Sequence, residues 1–433
     1  MATTHRQIEV GLLRVGMYVS KLDRPWLETP FLFQGFCIRN ENEIEELQRY
    51  CEFVEIDIEQ SDASVQGTMS TPATGARLGA AHGSASKKFS LWRRFLNLFR
   101  KSKQRTSHDE RQPGQFYQDT VSTADELVVA RTVYTGMHGQ LISFLDGVRR
   151  GATVTMPDLA IVTGELVDSV LRNGTAMALL ARMQQRDEHQ AGHSLATSIW
   201  ALVFGRHLGL DHESLTAAGL GALLLDIGKM KLPPELLNKA GPLTDVEWAH
   251  VQSHVEHSLT TIKEAGNVDQ RVLDMVATHH ERFNGSGYPK GLKGTQIPVF
   301  GRIAGIVDSY TAITSDRPYA AAKSSYDAMR EFKAAADVLF QAEMVEQFIQ
   351  AIGIFPAGTL VELNTGEVGV VLKEQRSARL QPKIAVILDA DKNRLEKSAV
   401  LDLYEQSTPE PTVWIERGIE PGAYDVDPDE YFL

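Results

Sequence analysis

"HHERFNGSGYPKGLKGTQIPVFGRIAGIVDSYTAITSDRPY" runs from His279 to Tyr319. Two adjacent imidazoles open the stretch, a turn with glycines at 285 and 287 follows, and an apolar run then carries one carboxylate, Asp308. Glycine lets a backbone approach a ligand closely, and proline at 289 stiffens the turn. Nine of the 13 histidines lie between His189 and His280. His189 and His193 are four apart, as are His250 and His254, with His257 three further on, so each group falls on one face of a helix. An isolated histidine on a helix is usually structural or solvated. A set of His and Asp gathered on several helices favours a divalent metal, whose ligands are neutral imidazole and carboxylate. His250 and His257 are the weaker candidates, because "EWAHVQSHVEHS" reads as an exposed helix face.

Around this cluster, from about residue 121 to 354, apolar residues recur three and four apart, which predicts a helical domain. Past Pro356 the period changes to two. "TLVELNTGEVGVVLKEQ" alternates about the turn-forming "NTGE", and "KIAVILDADKNRL" adds a further strand and turn, so residues 355–433 are expected to form a small β-rich module with a tail. Residues 1–60 mix short apolar runs ("GMYVSKL", "PFLFQGFCI"), one helical pattern ("NENEIEELQRYC") and the strand-like "EFVEIDI", as in a small α/β regulatory module. The expected fold class is therefore mainly α, a helical domain flanked by two small modules that contain strands.

Residues 61–120 are rich in Ser, Thr, Gly, Ala and Gln and read as a flexible linker. Within it "KKFSLWRRFLNLFRKSKQR" (87–105) carries eight basic residues and no acid. An aromatic face beside a basic face suits peripheral contact with an anionic membrane; a short helix packed on a neighbouring domain and a basic tether are the alternatives. The net charge of -12 argues against whole-surface binding of DNA or RNA. Cys37 and Cys51, without a CxxC spacing, read as cytosolic thiols. Neither a signal peptide nor a run of about 18 apolar residues is present, so the expected location is cytoplasmic, peripheral at the inner membrane if 87–105 binds there.

With "HHE", "NGSGYPKGL", "IP", "RIAGIVDSY" and "TSDRPY" in order, the chain resembles the HD-GYP family, a bacterial branch of the HD phosphohydrolases. The likeness covers most of 188–350. "GMYVSKLDRPWLETPF" and "GTLVELNTGEVGVV" look like modules that often accompany that domain. The resemblance implies an all-α HD-type domain and hydrolysis of cyclic di-GMP at a centre of two or three divalent ions, iron or manganese. It implies metal ligands His193, Asp226, His254, His279, His280 and Asp308, with Asp226 and Lys229 as catalytic residues. Lys229 would meet the scissile phosphate, Arg317 would help hold the nucleotide, and Gly287, Tyr288 and Pro289 form the loop that names the family. Tyr288 either stacks on or hydrogen-bonds a guanine, or only anchors its loop. Diguanylate cyclases are implied as partners. A paired metal centre activates a water for in-line attack at phosphorus, and a lysine at i+3 from Asp226 faces the same way to neutralise phosphoryl charge.

The departure from the family pattern stands in "LLLDIGKMKLPPELLNKAGPLT" (223–244), where Leu225 replaces the histidine of the His-Asp pair. Leucine cannot ligate a metal. His189, one turn before His193, stands where some relatives use a glutamate ligand; it is either a substitute ligand for one metal or a solvated helix residue. Two main readings follow: a metal-dependent cyclic di-GMP phosphodiesterase with a degenerate centre and reduced activity, or a non-catalytic cyclic di-GMP sensor or protein-interaction module on the same fold. Hydrolysis of another phosphoester is a third.

Overall fold

The computed structural model describes residues 5–23, 36–38, 44, 47–48, 51–57, 61, 117–152, 156–183, 190–237, 239, 241–316, 321–375, 380–405 and 413–432. The basic aromatic segment 87–105, His189 and Arg317 lie outside them. The chain divides into two compact units, residues 1–108 with 376–378, and residues 109–375 with 379–433.

The first unit holds an antiparallel sheet of four strands, β1 (His5–Glu9), β2 (Tyr18–Leu22), β3 (Phe36–Cys37) and β4 (Phe53–Asp57), in the order β1-β4-β2-β3. The last strand thus inserts between the first two. Ile8, Val19, Leu47, Val54 and Ile56 lie in its buried core, and Cys51 is buried beside them.

The second unit is mainly helical, as the periodicity predicts. Its helices are α1 (Thr123–Arg149), α2 (Met156–Arg172), α3 (Gly174–Met183), α4 (Gln190–His207), α5 (His212–Leu224), α6 (Pro234–Leu237), α7 (Asp245–Gln252), α8 (His254–Glu264), α9 (Gln270–Thr278), α10 (Val299–Thr314), α11 (Ser325–Ala334) and α12 (Ala342–Ile352). α4 and α5 are the core pair. Thirteen-residue α5, "HESLTAAGLGALL", is apolar on every side after its first turn, and such a helix is stable only when surrounded. α4 packs against α5 and α10, and α9 against α5 and α10. α1 begins at Ser122, whose Oγ accepts the Asp125 N–H as an N-cap. Beside that start Glu126, 2% exposed, accepts from Ser169 Oγ (2.6 Å) and from both Nε and Nη2 of Arg172 (2.8 Å each), clamping α1 to α2.

After α12 the chain forms an antiparallel sheet of β5 (Leu360–Leu363), β6 (Val368–Lys373), β7 (Lys383–Leu388), β8 (Arg394–Asp402) and β9 (Ile415–Gly418), in the order β8-β7-β6-β5-β9. The expected "NTGE" turn joins β5 to β6. Among the described residues no helix is long and apolar enough to cross a membrane.

Candidate metal centre

Five segments bring ligand-type side chains to one place. His193 comes from the first turn of α4, Asp226 from just past α5, His254 from the start of α8, His279 and His280 from the end of α9, and Asp308 from α10. The chain turns sharply after α5 into a 3-10 stretch, Ile227–Lys231, that carries Lys229. Gly228 makes that turn possible: a Cβ there would fall 2.1 Å from the His254 carbonyl oxygen and 2.5 Å from Ser258 N. Ser258 Oγ accepts the Gly228 N–H (2.8 Å) and donates to the Leu225 carbonyl (2.9 Å), fastening the Asp226 turn to α8. On the other side Gly305 of α10 lies against the His279 carbonyl, 3.2 Å from where its Cβ would stand, one turn before Asp308.

The proton positions of two imidazoles follow from their partners. His254 Nδ1 faces the Val251 carbonyl at 2.7 Å and His279 Nδ1 faces the Val276 carbonyl at 2.8 Å. A carbonyl only accepts, so both Nδ1 atoms carry hydrogen, which in a neutral ring leaves the lone pair on Nε2. Those two Nε2 atoms are 3.5 Å apart, and they lie 3.3 and 3.8 Å from Asp226 Oδ1. That buried oxygen receives no hydrogen bond. In neutral rings three electron pairs thus converge on one buried point, an arrangement that could hold a cation. His280 completes the group and stays neutral, its pKa pushed down to about 2 by burial and then by the neighbouring His279.

A second group shares Asp226. His193 Nε2 lies 3.2 Å from Asp308 Oδ1, and these two join Asp226 in a set whose ligand atoms all fall within 4.8 Å of one another. Burial alone would raise both carboxyls. For Asp226 the Lys229 ammonium, with Nζ 2.5 Å from Oδ2, holds the pKa well below the usual range; for Asp308 the hydrogen bond from His193 does the same. Both are carboxylates at neutral pH. Imidazole nitrogens and carboxylate oxygens in this number suit divalent first-row transition metals, so the residues fit such an ion.

Leu225 caps α5 and is 2% exposed. Neither His250, exposed on α7, nor His257 belongs to the ligand groups found among the described residues. The sequence spacing places His250, His254 and His257 on one helix, but the helix breaks at Ser253, so that His250 and His254 belong to different helices.

The loop after His280 is built on the histidine turn itself. A Cβ at Gly287 would lie 2.4 Å from the His280 carbonyl oxygen and from Arg282 N, so only glycine fits. Tyr288 N donates to that carbonyl (3.2 Å), and its ring stacks on His280 with centroids 4.6 Å apart. Pro289 follows through a cis peptide bond. Glu281, buried, accepts the N–H groups of Lys290 and Leu292 (2.8 Å each). Sequence reasoning left out Glu281, Ser258, Gly228 and Arg282; the adjacency of Glu281 and Arg282 to the histidine pair was the available signal.

A cavity of about 500 Å³ opens beside the cluster. Lys229, His280, Arg282, Asp308 and Glu331 supply its charged and polar lining, and Ala312, Ile313, Phe332, Ala335, Leu339 and Phe340 its apolar lining. Arg282 lies over the Phe340 ring at 5.5 Å and donates through Nη1 to the His279 and Glu281 carbonyls (3.0 Å each).

Comparison with known proteins follows the same segments. Residues 176–343 match the HD domain family, 5–159 match a domain of unknown function (DUF3391), and 360–424 match a KOW domain associated with HD domains. The chain is 30% identical over 402 residues to the cyclic di-GMP phosphodiesterase PA4108 of Pseudomonas aeruginosa, covering 92% of this chain and 89% of that one. It is 35% identical over 144 residues to a cyclic di-GMP phosphodiesterase of Thermotoga maritima, covering 33% of this chain and 39% of the relative. Over 252 residues it is 27% identical to the 3'3'-cGAMP-specific phosphodiesterase 2 of Vibrio cholerae, covering 57% and 47% of the two chains. With its helical domain, its accompanying N-terminal module and its similarity over nearly the full length of the Pseudomonas protein, the chain belongs to the HD-GYP family of HD-domain proteins.

Proposed function

We infer that this chain is a metal-dependent phosphodiesterase acting on cyclic di-GMP. The observation that carries the reading is the convergence of two unprotonated imidazole nitrogens on a donorless Asp226 oxygen, beside Lys229 and a nucleotide-sized cleft. The Pseudomonas and Thermotoga relatives are named cyclic di-GMP phosphodiesterases, which supports the same substrate here. His193, Asp226, His254, His279, His280 and Asp308 would hold two or three ions, iron or manganese, with Asp226 shared between the groups. Bound there, a divalent ion supplies Lewis-acid stabilisation of phosphoryl charge and activation of the attacking water.

The chain's own residues do the rest. Lys229 brings a fixed positive charge to the cleft, where charge grows on phosphoryl oxygens. Tyr288, stacked on His280, holds that ring and its loop in place, the anchoring role among its two expected ones. Arg317 as a nucleotide contact, diguanylate cyclases as partners and membrane contact through 87–105 belong to the proposal on sequence grounds alone.

One observation favours a second reading, a cyclic di-GMP sensor without turnover: buried Leu225 leaves the paired position next to Asp226 without a nitrogen. Anaerobic reconstitution with Fe(II) or Mn(II), metal counting and a cyclic di-GMP turnover assay separate the two. Turnover in wild type that collapses in His189→Ala establishes an enzyme with a displaced ligand. Tight binding without turnover, and activity gained in Leu225→His, establishes the sensor.

A further inference from the structure

The cavity beside the cluster has one charged group that neither the metal nor the phosphate can use. Of its two carboxylates, Asp308 belongs to the ligand set, and Glu331 of α11 lines the cavity together with Ile313, Phe332, Ala335 and Leu339. A carboxylate facing a ligand that is itself an anion repels it, unless the ligand presents donors there. Glu331 Oε1 is held by Lys323 Nζ, while the side chain keeps 46% of its surface open. Apolar walls with one acceptor-only group describe a base pocket, because small-molecule sites use a few placed polar groups on an apolar lining to fix orientation.

We propose that the α10–α11 wall of the cavity is a guanine subsite and that Glu331 reads the Watson–Crick edge of the base. Guanine offers two adjacent donors, N1–H and the exocyclic N2–H, which a carboxylate accepts side by side. Adenine offers one amino donor next to a bare ring nitrogen, whose lone pair the carboxylate repels. The phosphate then lies toward Lys229 and Arg282, whose guanidinium donates to backbone carbonyls and lies over the Phe340 ring. Lys323 orients the carboxylate from its far side. The inference rests on the phosphodiesterase reading above and adds base selectivity to it, a matter of substance because relatives of this chain are named for cyclic di-GMP and others for 3'3'-cGAMP.

The test compares wild type, Glu331→Gln and Lys323→Gln in the full chain loaded with metal, on cyclic di-GMP, 3'3'-cGAMP and cyclic di-AMP. Binding of the same three nucleotides to metal-free protein is measured by calorimetry. The expected result is a cyclic di-GMP KM raised about 10- to 100-fold in Glu331→Gln, the range of a charge-assisted hydrogen bond, with kcat within a few fold and cyclic di-AMP little affected. Lys323→Gln removes the same ion pair but keeps the carboxylate, so it retains the preference for guanine. Equal losses in the two variants, or an unchanged base preference in Glu331→Gln while wild type turns over cyclic di-GMP, overturn the subsite. Failure of wild type to bind or cleave any of the three overturns the phosphodiesterase reading itself, and the subsite with it.

Discussion

Gly228 shows how far a single residue governs this site. Its missing side chain lets the Asp226 turn lie on the backbone of α8, and the nearest atoms to an added Cβ are the His254 oxygen and Ser258 N, backbone groups that cannot swing aside. Gly228→Ala must therefore push the turn and α8 apart. We expect a loss of about 1–3 kcal/mol in urea unfolding, the usual cost of overpacking, together with a drop in metal bound per chain. Unchanged metal content would show that the turn is not what positions Asp226 against His254. Gly305 on α10 is more forgiving, since its neighbour stands at 3.2 Å. At this scale the sequence was informative about identity and silent about fit. The spacing of the histidines and of Asp226 with Lys229 named the ligand types, and the last pair does meet at 2.5 Å. Its vehicle is a 3-10 turn after α5 and not a helix turn. Tautomers set by Val251 and Val276 carbonyls, and glycines needed for close approach, depend on packing between segments far apart in the chain, so no local pattern announces them.

Among the elements, the joint between α1 and α2 gives a pH-dependent stability with a definite sign. Burial raises the Glu126 carboxyl, but hydrogen bonds from Arg172 and Ser169 and the Arg172 charge outweigh it and hold the pKa below its ordinary 4.5. A depressed carboxyl contributes stability that is fully present above the unfolded pKa and is lost as pH falls through the folded one. Wild type should therefore lose stability in the acid range below about pH 4.5 through this group, and Glu126→Gln should flatten that part of the profile. At neutral pH the variant should lose about 1–3 kcal/mol, the worth of charge-assisted hydrogen bonds. Denaturant melts of both proteins between pH 3 and 7, on the order of one per half unit, read this directly; parallel profiles would assign the acid loss to other carboxylates. The elements themselves were legible where contacts are local. The period-2 pattern around "NTGE" predicted β5 and β6, and the next strand and turn became β7 and β8. β9, which returns past β8 to pair with β5, and β4, which inserts between β1 and β2, are long-range pairings that no alternation specifies.

For the whole molecule the question is whether metal stabilises all of the chain or one part of it. Every residue of the two ligand groups lies in the unit of residues 109–375 with 379–433. The other unit has a buried core of its own, in which Val19, Leu47, Val54 and Ile56 are fully buried. An ion that binds only the folded state stabilises it by RT ln(1 + [L]/Kd), about 2.7 kcal/mol at a concentration of 100 Kd, and for a unit of this size that raises Tm by a few degrees. Calorimetry with Mn(II), then with excess chelator, should show two transitions of which the metal moves one. Asp226→Asn, which removes the shared carboxylate, should abolish that metal-dependent shift, whereas a destabilising substitution in the N-terminal core, such as Val54→Ala, should shift the other transition. A single transition that responds as a whole to metal and to Val54→Ala alike would mean that the two units unfold as one cooperative body. The metal would then support the N-terminal core as well as the site, and the small sheet would have no independent stability to lose.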